Sequence, residues 1–264
     1  MKPYPVHPAP QAAHTIASAS ASAPVSGVQG RLWLVRHAPV LRPVEPGPWA
    51  AVAPTPMLCP GSDDATQSGP AAGHHAARAQ APSAYCYGRL DWPADPLDTK
   101  ELARSLARQL PHGARLCSST RQRTRLLAHE LQALRPDLQP GGPDARLDEL
   151  DFGAWEGRRW DDIGAAAVAA WVHDFADARV GGGESVRQLL QRVQSALLEQ
   201  AAGGHGDVVW LCHAGVIRAC LWLYGPNPSA FPQADTWPRS SADFGSLHVF
   251  PRTYPRSMEL GRSA

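Results

Sequence analysis

Two histidines follow short runs of apolar residues, and this side chain can act as a base or a nucleophile near neutral pH. His37 comes just after the run 32–35 and Arg36, and His213 comes directly after the run 208–212. Continuous apolar runs of this length are typical of strands buried on both faces of a parallel sheet. Because ligands in such folds bind beyond the carboxyl ends of the strands, we expect both imidazoles at one edge of the sheet.

Positive charge and small residues accompany these histidines. Arg36 precedes the first, and Arg123 stands near the start of a predicted helix, after Ser119. Guanidinium groups match the oxygens of a phosphate group. The second histidine is followed by Ala214 and Gly215, which open a predicted helix whose first N–H groups favour an anion. Each residue alone is compatible with a structural role or a surface charge, but together they predict an anion-binding domain.

Strand and helix patterns alternate along most of the chain. Leu102, Leu106 and Leu110 recur at helical spacing, and similar apolar stripes mark three later helices. The predicted strands are 32–35, 114–117, 208–212 and 247–250, and the predicted helices cover about 102–110, 120–134, 185–198 and 216–224. Such alternation predicts an α/β fold, a three-layer sandwich with a mostly parallel sheet and helices on both faces.

Two segments lack any sustained apolar period. Residues 1–30 are rich in Pro, Ala and Ser, and we expect them to form a disordered tail. Residues of about 43–84 are rich in Pro, Ala and Gly, and we interpret them as an insertion, with a functional lid as the alternative. The remaining residues, within 31–264, are predicted to form one domain.

Composition narrows the classes of function. The chain has 264 residues and a net charge of +1, so no general attraction for nucleic acid or an anionic membrane is expected. Its five cysteines show no CxxC spacing, and no phosphate-binding loop of the GxxxxGK[ST] type occurs. No apolar run is long enough for a membrane span, and we expect no signal peptide and a cytoplasmic location.

Five short sequence blocks occur in a fixed order along the chain. They are Leu34-Val-Arg-His-Ala38, Ser118-Ser-Thr-Arg-Gln-Arg123, Leu147-Asp-Glu-Leu-Asp-Phe-Gly-Ala-Trp-Glu-Gly157, Gly182-Gly-Glu-Ser185 and Cys212-His-Ala-Gly-Val-Ile-Arg218. In type and order they resemble the blocks of the histidine phosphatase superfamily, which includes the cofactor-dependent phosphoglycerate mutases. Ala38 stands where that family usually has glycine. The resemblance implies a phosphoglycerate mutase-like fold.

The resemblance also implies a set of catalytic roles. His37 would be the nucleophile that forms a phosphohistidine, while Arg36, Arg123 and His213 would bind the phosphate. Glu149 would be the proton donor, which requires a carboxyl that is still protonated near neutral pH. A carbonyl acceptor on the other ring nitrogen of the nucleophile is expected to hold its tautomer. No metal ion and no cofactor are expected.

Within the superfamily, the chain resembles most the alpha-ribazole phosphatases of cobalamin synthesis. These proteins carry a Cys-Tyr-Gly-Arg-Leu-Asp block, which is present here at 86–91. The resemblance implies hydrolysis of alpha-ribazole 5′-phosphate or adenosylcobalamin 5′-phosphate. The residues expected to contact this substrate, besides the phosphate ligands, are Ala214, Tyr87, Arg89 and Asp91. The residues expected to support the site from behind are Ser119, Glu156 and Glu184, although helix capping or loop pinning would also explain the two glutamates.

Several alternatives remain open at this point. A broad-specificity phosphatase of sugar phosphates or nucleotides fits the same residues. A mutase is disfavoured because the segment between Glu149 and His213 is shorter than in the mutases, and a non-catalytic phosphate-binding protein is disfavoured because the catalytic set is complete. The expected partner is a small phosphate ester, with no nucleic acid and no membrane. Monomer and homodimer are both compatible with the sequence.

Overall fold

The structure is a computed structural model that describes residues 30–41, 84–204, 206–226, 230–239 and 242–253. Its strands are β1 (Arg31–Arg36), β2 (Arg115–Ser118), β3 (Gln139–Pro143), β4 (Val208–Cys212) and β5 (Leu247–Pro251). Its helices are α1 (Pro96–Ala107), α2 (Gln122–Leu134), α3 (Trp160–Ile163), α4 (Ala165–His173), α5 (Val186–Ala202) and α6 (Ala214–Leu223). Short 3₁₀ turns lie at Ala145–Leu147, Gly153–Trp155 and Val180–Gly182.

Within these residues the strands form one sheet in the order β3-β2-β4-β1-β5. The first four strands in this order are parallel to one another, and β5 runs antiparallel to β1. The predicted α/β fold with a mostly parallel sheet is therefore confirmed. Since β4 and β1 are both central, the loops that leave their carboxyl ends lie next to each other, which is where ligands bind in open α/β sheets.

The central strand β4 shows why the sheet needs helices on both faces. Val208, Trp210 and Cys212 pack in one apolar cluster with α5 and α6. Val209 and Leu211 point to the opposite face and pack with α1 and α2. Because successive side chains of a strand point to opposite faces, a run that is apolar at every position must be covered twice. The three-layer arrangement follows directly from this pattern.

Two helix starts have ordinary capping chemistry. The Asp95 carboxylate accepts hydrogen bonds from the first N–H groups of α1. Ser185 and Gln188 form a reciprocal capping box at the start of α5. These caps place the first residues of both helices, and the second explains why α5 begins directly after the glycines at 181–183.

Three elements were not predicted from the sequence. Strand β3 has the sequence Gln-Pro-Gly-Gly-Pro, which contains no residue that favours strands. It lies at the sheet edge, where a proline that lacks an N–H is tolerated. Helices α3 and α4 are short, and α4 is largely alanine with no fully buried residue, so it has no clear apolar stripe.

The predicted tail at 1–30 and the predicted insertion at about 43–84 lie almost wholly outside the described residues. The chain leaves the described part after Leu41 and returns at Ala84. On either side of this gap, Val40 forms an isolated bridge with Ala94, and Tyr85 forms one with Arg159. No helix in the described ranges has the length and apolar character needed to span a membrane.

Candidate active site

The register of the two central strands brings the two histidines together. Arg36 is paired with Cys212 at the parallel ends of β1 and β4, so the next residue of each chain segment leaves the sheet at the same place. These next residues are His37 and His213, whose ring centroids lie 5.1 Å apart. Both side chains are almost completely buried. The expectation that strand ends would gather both imidazoles agrees with this geometry.

The hydrogen bonds of His37 fix the position of its proton. Its Nδ1 lies 2.6 Å from the carbonyl oxygen of Ala38. A carbonyl oxygen only accepts hydrogen bonds, so Nδ1 carries the proton and Nε2 keeps its lone pair. Burial lowers the pKa of His37 well below its usual value, and the charge of Arg123 lowers it further. The imidazole is therefore neutral at neutral pH, as a nucleophile must be.

His213 has the opposite arrangement. Arg123 donates from Nε to its Nδ1 at 3.4 Å, which makes Nδ1 the acceptor. Its Nε2 lies 2.7 Å from the hydroxyl oxygen of Ser119, so Nε2–H is the donor. The Ser119 hydroxyl is also 2.9 Å from that of Thr124, which extends the network into α2. Burial, followed by the charge of Arg123, lowers the pKa of His213 well below its usual value.

Arg123 is completely buried at the second position of α2, and backbone carbonyls hold its guanidinium. It donates to the carbonyl oxygens of Leu90 and Gly88, both at 2.7 Å. The loop that carries these two carbonyls is held in turn by the carboxylate of Glu156, which accepts from the N–H groups of Gly88, Arg89 and Leu90 at 3.0, 2.9 and 3.1 Å. Glu156 thus positions Arg123 through the loop rather than through direct contact.

Arg36 is held from the other side of the site by the segment before β5. Its NH1 group donates to the carbonyl oxygen of Ala242, and its guanidinium carbon lies 3.9 Å from the centre of the Phe244 ring. The same ring lies 5.6 Å from that of His37. Among the described residues, Arg36 Nε is buried without a hydrogen-bond partner, so it is a donor that an anion can satisfy.

The carboxyl of Glu149 lies against the first turn of α6, the helix that follows His213. Its carboxylate accepts from the N–H of Gly215, which is 3.0 Å from Oε1 and 3.2 Å from Oε2. The N–H of Leu150 donates to Oε1 at 3.0 Å. Since the N-terminus of a helix favours negative charge, the first turn of α6 is a natural position for a carboxylate. The predicted proton donor therefore sits beside the predicted phosphate ligands.

The other predicted residues are more widely spread. Tyr87 lies near both arginines of the site, with Arg123 5.5 Å from the centre of its ring. Arg89 is largely exposed, with a long 3.7 Å ion pair to Asp151. Asp91 accepts from the backbone N–H of Gln122 at 2.7 Å and so caps the start of α2. The structure does not bring Arg89 and Asp91 into contact with the histidines.

The remaining predicted residues have clear local partners. Ala214, which is buried, is the first residue of α6 and directly follows His213. Glu184 forms a two-pronged ion pair with Arg192, at 2.7 and 2.9 Å. Its Oε2 also lies 3.5 Å from the N–H of Asp151, a long contact with the segment that carries Glu149. The geometry of Glu184 is that of a structural pin.

A cavity of about 360 Å³ adjoins Glu149. Its lining is dominated by charged side chains, four arginines and four acidic residues. They are Arg89, Arg121, Arg179, Arg192, Asp148, Glu149, Asp151 and Glu184. Two of the pairs, Arg121 with Asp148 and Arg192 with Glu184, neutralise each other. A ligand portion that enters this cavity meets hydrogen-bonding groups rather than apolar surface.

In the part of the chain described above, no group of three or more His, Cys, Asp or Glu side chains could hold a metal ion. The cysteines there, Cys86, Cys117, Cys212 and Cys220, are buried free thiols. Burial raises the pKa of each of these thiols, so they are unreactive core residues.

Comparison with known protein families decides the assignment. The sequence model of the histidine phosphatase superfamily (branch 1) matches residues 86–240, which is more than half of the chain. This chain belongs to the histidine phosphatase superfamily. The matched part of the chain begins at Cys86 and so leaves out β1 and His37. The strand register, not the family match, places His37 beside His213.

Solved structures share the fold of this chain at low sequence identity. The protein TTHB049 from Thermus thermophilus is 22% identical, with a TM-score of 0.50, over 83% of this chain and 92% of that one. The mycobacterial glucosyl-3-phosphoglycerate phosphatase Rv2419c is 21% identical, with a TM-score of 0.51, over 75% and 81% of the two chains. Rv3214 from Mycobacterium tuberculosis is 18% identical, with a TM-score of 0.51, over 83% and 90%. Comparison with curated proteins gives no match.

Sequence reasoning did not identify three contributors to the site of this chain. Phe244 and the carbonyl of Ala242 hold Arg36, but they lie about two hundred residues away in a segment without any recognised motif. Gly215 was expected to open a helix whose first N–H groups favour an anion, and its N–H binds the carboxylate of Glu149. Residue types do not show which acceptor a backbone N–H meets, so this particular contact could not be predicted.

Proposed function

We propose that this protein is a metal-independent phosphomonoesterase that works through a phosphohistidine on His37. The observation that carries this proposal is the proton position on that ring. Ala38 holds the proton on Nδ1, which leaves the Nε2 lone pair available beside the positive groups of the site. Arg36 and Arg123 supply fixed positive charge, and the first turn of α6 adds backbone N–H groups.

In the first step, Nε2 of His37 attacks phosphorus and forms an N–P bond. The P–O bond to the leaving group breaks, and its electron pair goes to the leaving oxygen, which takes a proton from Glu149. The negative charge of the bound phosphate favours the protonated form of this carboxyl, against the N–H donors that favour its charged form. Arg36, Arg123 and His213 stabilise the charge on the other phosphate oxygens. A buried, water-poor position makes these charges more effective than they would be in solvent.

In the second step, the Glu149 carboxylate accepts a proton from water as the water oxygen attacks phosphorus. The N–P bond breaks, its electron pair returns to Nε2 of His37, and inorganic phosphate leaves. His213 is neutral in the resting site, where its Nδ1 accepts from Arg123. To donate to a phosphate oxygen from Nδ1 it takes the proton that a monoanionic phosphate ester brings into the site, while Ser119 continues to accept from Nε2.

We further propose alpha-ribazole 5′-phosphate, or the related adenosylcobalamin 5′-phosphate, as the substrate. The support comes from the Cys-Tyr-Gly-Arg-Leu-Asp block at 86–91, whose carbonyls hold Arg123. Tyr87 stacks on Trp92 with ring centroids 5.2 Å apart, and both side chains are half-buried. An aromatic pair next to a phosphate site suits a leaving group that carries a ribose and a heteroaromatic ring.

The alternative is a broad-specificity phosphatase of sugar phosphates or nucleotides, and one observation favours it. The cavity beside Glu149 is lined almost wholly by charged side chains. Such a lining suits many polar leaving groups and selects poorly among them, because hydroxyl, carboxylate and amide groups can all find partners there.

The test is a comparison of substrates in the presence of EDTA. We would measure phosphate release from alpha-ribazole 5′-phosphate, 3-phosphoglycerate and p-nitrophenyl phosphate by wild-type protein and by His37→Ala. A strong preference for the ribazole ester that is lost in the variant supports both the substrate and the nucleophile. Similar turnover of all three esters supports the broad phosphatase. Activity that survives His37→Ala, or that disappears in EDTA, contradicts the mechanism.

A further inference from the structure

The carboxyl of Glu149 occupies the space that any side chain on Gly215 would fill. A Cβ built on Gly215 would lie 2.1 Å from Oε1 and 3.3 Å from Cδ of Glu149. The next atom, in Leu189, is at an ordinary contact distance of 3.5 Å. A methyl group at this position therefore meets one obstacle, which is the carboxyl itself.

We propose that Gly215 is a positioning residue for the proton donor: its missing side chain opens the space for the Glu149 carboxyl, and its N–H aims that carboxyl at the leaving oxygen. The inference rests on the proposed role of Glu149 as acid and base. No positive φ explains the glycine, because its backbone lies outside the left-handed region. Close approach of the carboxyl is the reason that remains.

The arrangement binds the Glu149 carboxyl to the helix that directly follows a phosphate ligand. His213 is the residue before α6, and Gly215 is the second residue of that ten-residue helix. The Gly215 N–H reaches both carboxylate oxygens, and Leu150 N–H binds one of them. Because backbone N–H groups have no rotamers, they hold the Glu149 carboxyl relative to the bound phosphate more tightly than flexible side chains would.

The inference predicts a loss that depends on the leaving group. Gly215→Ala displaces the carboxyl without weakening α6, because alanine is the better helix former. For phenyl phosphate, whose leaving oxygen needs a proton, we expect kcat/KM to fall about 100-fold, the size of a general-acid contribution. For p-nitrophenyl phosphate, a good leaving group of similar shape, we expect kcat/KM within about threefold of wild type, because little proton transfer is needed.

The experiment compares wild type, Gly215→Ala, Glu149→Gln and the double variant on both esters. Gly206→Ala is the matched control, since a Cβ there meets nothing within 4 Å and the residue lies at the opposite end of β4. If Gly215 acts through Glu149 alone, the double variant equals Glu149→Gln, and Gly206→Ala equals wild type.

The outcomes separate this inference from the proposed function. Wild-type activity that does not depend on His37, or a Glu149→Gln variant whose kcat/KM falls equally for both esters, overturns the proposed chemistry and this inference with it. If those two results are as expected, three outcomes overturn the inference. Gly215→Ala keeps the wild-type kcat/KM for phenyl phosphate, or its kcat/KM falls equally for both esters. The third is a double variant whose kcat/KM for phenyl phosphate is lower than that of Glu149→Gln.

Discussion

At the scale of single residues, the site is defined by where its protons lie. His37 and His213 are both buried and both neutral, yet their hydrogen bonds assign them different tautomers. The carbonyl of Ala38 holds the proton of His37 on Nδ1, while Arg123 and Ser119 hold that of His213 on Nε2. One ring thus keeps a lone pair on Nε2, and the other is held by an arginine and a hydroxyl.

Backbone carbonyls orient both arginines of the site. Arg123 uses two of its donor groups on the carbonyls of Gly88 and Leu90, which fixes its plane. Arg36 rests against Phe244 and the carbonyl of Ala242. In each case the backbone orients the guanidinium, so binding of an ester requires little further ordering of the site.

At the scale of elements, the loop between the described bridge at Tyr85 and helix α1 has one main support. The Glu156 carboxylate accepts four backbone hydrogen bonds, three from residues 88–90 and one from Phe152 at 3.0 Å. A Cβ on Gly88 would lie 1.9 Å from the carbonyl oxygen of Leu150, so the loop lies directly against the segment that carries Glu149. Glu156 therefore connects the loop, Arg123 and that segment.

Removal of this support should reduce both stability and activity. In Glu156→Ala, four N–H groups lose their acceptor, which should lower the free energy of unfolding by about 1–3 kcal/mol. Because the loop carbonyls that hold Arg123 are then loose, kcat/KM for p-nitrophenyl phosphate should fall roughly tenfold. Denaturant unfolding and steady-state kinetics measure the two effects.

Glu199→Ala is the control for this prediction, since Glu199 is an exposed carboxylate whose ion pair is with Arg146, away from the loop. It should behave like wild type in both measurements. A Glu156→Ala variant that is less stable but fully active would show that the loop does not position Arg123.

The strands that position the histidines could be predicted from the sequence. The edge strand β3 and the contacts that hold Arg36 and the loop at 88–90 could not. Strands β1 and β4 are short runs of apolar residues, and the stripe of α5 is regular, so their patterns identify them. Strand β3 is an edge strand of proline and glycine that pairing with β2 alone makes regular. The Glu156 carboxylate binds backbone N–H groups of residues 88–90, and the backbone carbonyl of Ala242 binds the Arg36 side chain. Residue types do not encode such contacts between a side chain and a distant backbone group.

At the scale of the whole molecule, the buried histidines make folding depend on pH. Both His37 and His213 have a lower pKa in the folded protein than in the unfolded chain, because burial disfavours their charged forms. Below the unfolded value of about 6.5, the unfolded chain binds protons that the folded protein does not. The contribution of these two histidines to the free energy of unfolding is therefore fully present above this pH and is lost as the pH falls below it.

The free energy of unfolding should fall by up to about 1.4 kcal/mol per pH unit for each of these histidines between about pH 6.5 and pH 5. Denaturant unfolding at a series of pH values measures this slope. His37→Asn should reduce it by the share of one group, whereas replacement of the exposed His129 by Gln should leave it unchanged. Equal slopes for wild type and His37→Asn would contradict the assignment of His37 as a buried neutral group.

The central claim is that a phosphoryl group passes through His37, and the most direct measurement is to trap it there. Glu149→Gln lacks the base that activates water but still reacts with p-nitrophenyl phosphate, so the phosphoenzyme should accumulate. Intact-protein and peptide mass spectrometry after a brief incubation should then show one added phosphoryl group, located on His37 and missing in a His37→Asn/Glu149→Gln double variant. A phosphoryl group on His213 or any other residue, or continued release of p-nitrophenol with no phosphorylated protein, would contradict the account.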